Sequence, residues 1–137
     1  MVSKQEVVQL LRAVDEQLAT EEHWTQNVPA RNTQGNSVIA EARSAVCWCL
    51  TGAVDKVVPM DDVEGREQVV EHLFRAIPLH ERMEARPFGV EAIAPGWWSE
   101  GAMRCAIEIV NDSSSASFDR MKKLVKKAIS MAEEMEE

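Results

Sequence analysis

The stretch Glu41-Ala-Arg-Ser-Ala-Val-Cys-Trp-Cys-Leu-Thr-Gly-Ala-Val-Asp-Lys-Val-Val58 decides how the rest of the chain must be arranged. Ala42, Val46, Cys49, Leu50, Ala53, Val54 and Val57 recur at three- and four-residue intervals, the period of one helix face. Ala45, Cys47 and Val58 widen the stripe until only the line through Ser44, Thr51 and Asp55 is clearly polar, so the segment is expected to be enclosed on most sides. Ser37 or a residue just after it can cap this central helix and Pro59 stops it, which places it at about 38–58. Gly52 in mid-helix costs roughly 1 kcal/mol against Ala. A close crossing by another helix would account for it, a tolerated accident being the other reading.

Outward from the hub, Ser3-x-x-Glu6 is a capping box, and Val7, Leu10, Leu11, Val14 and Leu18 follow at helical spacing, which predicts a first helix from residue 4 to about 22. Asn27, Pro29, Asn32, Gly35 and Asn36 make 24–36 a loop. Asp61-x-x-Glu64 starts a third helix at about 62–77, ended by Pro78. Pro78, Pro87, Gly89, Pro95 and Gly96 make 78–98 an irregular connection apart from a turn of helix around His80 to Ala85. Residues 100–110 fit either period, and helix is favoured because a lone strand would lack a partner for its hydrogen bonds. Ser115 or Ser117 caps a last helix to about Met135, whose seam of Phe118, Met121, Val125, Ala128, Ala132 and Met135 suits packing on the core or self-association into a homo-oligomer through 118–135. The expected fold is therefore all-α, a single domain over 1–137 with about five helices around the central one and a frayed tail.

A chain of 137 residues can bury enough surface to fold without disulfide or metal. Its net charge of −8 argues against a grip on nucleic-acid phosphates. The imbalance is uneven: residues 1–119 hold 10 basic and 19 acidic side chains, whereas 120–137 hold 5 and 4. Such an acidic body is either simply soluble or a surface that docks on a basic protein. Cys47, Cys49 and Cys105 are an odd set inside apolar runs, as expected of free thiols in a reducing, cytoplasmic setting. No apolar run approaches the roughly 20 residues of a membrane span, and none is expected.

The apparatus of catalysis is missing from the sequence. Cys47-Trp48-Cys49 invites a metal, but on a helix side chains two residues apart diverge by about 200° and cannot share one ion. His23, His72 and His80 are not spaced as ligands, and nothing places them beside a cysteine as an activating base. The cluster Asp61, Asp62, Glu64, Glu67 and Glu71 lacks the alternation and glycine turn of a calcium loop, and fits carboxylates favoured at a helix N-terminus. No phosphate-cradling glycine loop or nucleophile elbow is present. No catalytic residue, metal or cofactor is therefore assigned. What remains is four tryptophans: Trp48, Trp97 and Trp98 are candidate interaction residues, the other reading being cover by the 24–36 loop for Trp48 and lids that close the core for Trp97 and Trp98.

Three stretches taken together resemble a family from bacteria and phages classed only as a domain of unknown function. They are Trp24-Thr25-Gln26, Val46-Cys47-Trp48-Cys49-Leu50-Thr51-Gly52-Ala53, and Ile109-Val110-Asn111-Asp112 followed by the Ser117 cap. The family's hub typically reads Cys-x-x-Gly-Ala and its late motif Trp-Asn-Asp with a Pro-Gly-Arg turn. Here Val110 stands for the Trp and Ser113 to Ala116 for the turn, leaving no counterpart to that arginine. The resemblance implies a mostly helical protein with no assigned activity, often carried by phages or mobile elements. Two functions follow as expectations. The first is a non-enzymatic protein-interaction module, an accessory factor or inhibitor acting on a host protein. The alternative is a small enzyme or ligand-binding domain with a pocket at the Asn111-Asp112 corner and Thr51, residues whose other role is structural.

Overall fold

The computed structural model of the protein describes residues 2–84 and 99–135. Helix α1 (Lys4–Gln17) starts as its capping box dictates, the Ser3 hydroxyl accepting the Glu6 amide at 3.2 Å. It is shorter than its periodicity implies, because the chain leaves the helix at Leu18 and continues into a tight turn at Glu21–His23. A hairpin of β1 (Ala30–Arg31) and β2 (Ser37–Val38) follows, with β3 (Cys47–Trp48) antiparallel on the other edge of β1. Then come α2 (Leu50–Val57), α3 (Val63–Ala76), α4 (Leu79–Glu84), α5 (Glu100–Asp112) and α6 (Phe118–Glu133). The fold is mostly helical, with a three-stranded sheet as its minor part.

The central helix is where expectation and structure part. Only Leu50–Val57 is helical, whereas 41–46 are irregular, with turns at Glu41 and at Arg43 and Ser44, and Cys47–Trp48 lies extended in the sheet, pairing with Arg31 and Ala30. In a helix continuing back through 45, the Cys49 and Leu50 amides would bond to the carbonyls of residues 45 and 46. Instead Cys49 N donates to Pro29 O at 3.1 Å and Leu50 N to Asn111 Oδ1 at 3.2 Å. The loop and the far end of α5 thus take the amides that would have carried the helix backwards. Of the apolar residues of 42–49 only Trp48 and Cys49 are buried, Trp48 with its indole donating to Ala40 O at 2.9 Å, whereas Val46 is 40% exposed.

The other helical expectations hold: α5 is a helix capped by Ser99, α6 is capped by Ser117, and α3 is capped by Asp62, one residue later than its start signal. The α6 seam packs on α1 and α3, and α3 also packs on α5, burying Leu11, Leu73, Phe74, Ile77 and Ile107. Asp55 of α2 joins three helices: Arg104 of α5 grips it with two bonds of 2.8 and 3.1 Å, and Arg66 of α3 stands 3.8 Å away. Burial alone would lower the Arg104 pKa, but the hydrogen bonds and charge of Asp55 raise it. Among the described residues no helix is long and apolar enough to cross a membrane.

Candidate functional site

The start of α2, the end of α5 and the loop after Glu21–His23 meet at one corner, and Asn111 lies at its centre with no exposed surface. Its Oδ1 accepts the Trp24 indole N–H at 2.8 Å and the Leu50 amide at 3.2 Å. Its Nδ2 donates to Thr25 O at 3.1 Å and to Asp112 Oδ1 at 2.9 Å, while Gln26 Nε2 donates to its backbone carbonyl at 2.8 Å. All four side-chain valences of the buried amide are therefore engaged. Asp112 Oδ1 also accepts the Asn27 amide at 2.8 Å, steadying a residue held at φ 75°. Arg31 binds the same loop from the sheet side, donating to Thr25 Oγ1 and Gln26 O, and ties it to the hairpin turn through Gly35 O.

Cys49 is the cap of α2, an unusual choice that the corner explains. Its sulfur accepts the Gly52 amide at 3.3 Å and lies 3.3 Å from Thr51 Oγ1, whose proton goes to Glu108 Oε1 at 3.2 Å. Thr51 has one proton for two acceptors: while it serves Glu108 the protonated thiol donates to Thr51, and a thiolate would instead draw that proton to the sulfur. Burial pushes the Cys49 pKa up, and the charges of Glu108 and Asp112 add to the rise against the lowering by Thr51 and Gly52. The thiol is thus held protonated, the opposite of an activated nucleophile. Gly52 is required by a close approach, though of a loop rather than a helix: a Cβ there would overlap the Pro29 carbonyl oxygen.

Above this floor is a cleft of about 90 Å³, lined by Asn27, Pro29, Cys49, Thr51, Glu108 and Asp112. That is well below the roughly 300 Å³ at which small-molecule sites begin. Glu108 and Asp112 stand one turn apart on α5 and are exposed; each directs one oxygen inwards, and the other has no protein partner among the described residues. The arrangement can receive a cationic group.

The segments meeting at this corner are those that carried the family resemblance. A model described as a family of unknown function, DUF6197, matches residues 2–130. The chain belongs to DUF6197. No curated protein and no solved structure matches it.

The DUF6197 corner brings together Thr51, Asn111 and Asp112 of the residues singled out in the sequence, with Asn111 as the buried organiser and the other two at the cleft. Trp48 is a sheet residue turned inwards, and Trp97 and Trp98 lie outside the described residues. Cys47 and Cys49 do not diverge for the helical reason first given, since both are extended, yet their sulfurs take separate partners: Arg31 O at 4.0 Å for one, Thr51 and Gly52 for the other. Among the described residues no three His, Cys, Asp or Glu side chains gather as metal ligands. Sequence reasoning did not single out Asn27 or Glu108. The helical reading of 100–110, extended by two residues, carries the signal for Glu108, because residues four apart share a face with Asp112.

Proposed function

We propose that this DUF6197 protein is a non-enzymatic interaction module whose corner offers an acidic cleft to a basic side chain of a protein partner. The observation that carries the reading is the pair of exposed carboxylates, Glu108 and Asp112, which line a cleft of about 90 Å³ and each hold one oxygen in protein hydrogen bonds and the other without a protein partner among the described residues. A site of that size suits the tip of a lysine or arginine rather than a metabolite. The net charge of −8 supports steering towards a basic surface. The protonated thiol and the engaged amide supply no nucleophile or base, which weighs against the small-enzyme alternative. Three free thiols support a cytoplasmic setting, and the resemblance to a family from bacteria and phages supports an accessory factor acting on a host protein.

The test is a titration, followed by NMR, with a short peptide carrying one arginine among glycines. Amide shifts are expected at Asn27, Thr51 and Glu108 to Asp112, diminishing with salt and lost in Glu108→Lys. Shifts spread evenly over the acidic surface, or retained in Glu108→Lys, would count against the reading.

A further inference from the structure

A second concave surface lies on another part of the molecule and has the opposite charge. On α6, Arg120, Lys123 and Lys127 stand at i, i+3 and i+7 beside Met121 and Leu124, facing Ala76, Pro78, Glu81 and Val110 across a groove of about 200 Å³. Met121 and Leu124 are buried core residues, so the floor is rigid and apolar. The basic residues of 120–127 differ in what they touch. Arg120 is committed to Glu81 at 2.7 Å and to Ser115 O at 3.0 Å, and Lys122 to Asp15 and the Phe118 ring. Lys123 and Lys127 are exposed, one turn apart and without a carboxylate partner among the described residues, so they repel each other. This one helix stretch holds five of the chain's 15 basic side chains, although the molecule as a whole is strongly acidic.

We infer that the groove docks an acidic amphipathic peptide segment of a protein partner. An apolar side chain enters over Met121 and Leu124, while carboxylates of the same segment rest on Lys123 and Lys127. Charge complementarity decides the occupant: an apolar floor rimmed by uncommitted ammonium groups rewards a ligand carrying both features on one short stretch. The volume, under the roughly 300 Å³ of small-molecule sites, suits one side-chain anchor. A nucleic acid or an anionic bilayer is an extended negative surface and would meet the acidic remainder of the chain, which a short peptide avoids. The inference uses residues other than those of the Glu108–Asp112 cleft and stands or falls separately from it.

The experiment is isothermal titration of the full chain with the acetylated peptide Glu-Glu-Leu-Glu-Glu-Leu at low salt. Saturable binding is expected, weakened about tenfold or more by Lys123→Glu with Lys127→Glu. It should also weaken when both leucines of the peptide become serine, and be unchanged by Lys126→Glu, an exposed lysine that does not line the groove. Circular dichroism checks that each variant remains folded. The inference is overturned by absence of saturable binding, by indifference to the double reversal, or by an equal loss in Lys126→Glu. It is equally overturned if phosphatidylserine vesicles bind while the peptide does not, since the patch would then serve a membrane.

Discussion

Replacing Asn111 by alanine should be the most damaging single truncation at the corner. The substitution strands the Leu50 amide and the Trp24 indole N–H and leaves Thr25 O without its donor, whereas Asp112 keeps the Asn27 amide and solvent. Each stranded group costs about 1–3 kcal/mol, less where water can enter the space vacated, so roughly 3–5 kcal/mol is expected out of a total of about 5–15. For a domain of this size that is a fall of roughly 10–20 °C in Tm, read by thermal circular dichroism and by urea titration. Asn111→Asp sharpens the test, because it keeps the Oδ1 acceptor but turns a second oxygen towards Thr25 O and Asp112 Oδ1, which the amide nitrogen had served. The new carboxyl should therefore titrate above its unfolded value of about 3.9. A group raised in this way binds its proton more tightly in the folded state, so stability is present below the unfolded pKa and lost as pH rises through the folded one. The gap between Asn111→Asp and the parent should narrow on acidification towards about pH 4. A loss under about 1 kcal/mol in Asn111→Ala, or a gap in Asn111→Asp that ignores pH, would refute the account of the amide as organiser.

Three further outcomes are expected. Gly52→Ala gains about 1 kcal/mol of helix propensity but must displace the Pro29 carbonyl, so a net loss of about 1–3 kcal/mol should appear in thermal melts. Because burial raises the Cys49 thiol above its ordinary value, its contribution to stability is complete below the unfolded thiol pKa and is lost as pH rises through the folded one. Alkylation of Cys49, followed by mass spectrometry, should accordingly lag behind that of the unfolded chain at neutral pH, and Cys49→Ser should flatten the alkaline fall in stability. Asp55→Asn removes the charge that Arg104 grips with two bonds, and about 1–2 kcal/mol should be lost in urea titration, allowing for partial exposure.

How far the sequence could be read differs between the helices and the corner. Ser3 and Ser117 announce their helices because a cap and the apolar period behind it are local, fixed by residues three and four apart. The same local rule misled at 41–49, where alanines, valine and cysteines keep a helical rhythm without a helix. The site was half legible: the resemblance marked Trp24 to Gln26, the Cys-x-x-Gly-Ala hub and Asn111-Asp112 as belonging to one family pattern, but spacing along the chain could not say that they touch.

By itself the sequence determined a mostly helical chain of acidic charge, with helix starts at Ser3 and Ser117 and within a residue of the Asp61 signal, and an apolar seam for the last helix to bury. Only the tertiary structure decided where the second helix begins, which cysteine caps it, and that two carboxylates of α5 overlook that cap. The physical reason is the source of the hydrogen-bond acceptors. Cys49 N and Leu50 N are satisfied by Pro29 O and Asn111 Oδ1, which reach them only when the loop and the end of α5 fold against the start of α2, and no local period encodes that meeting.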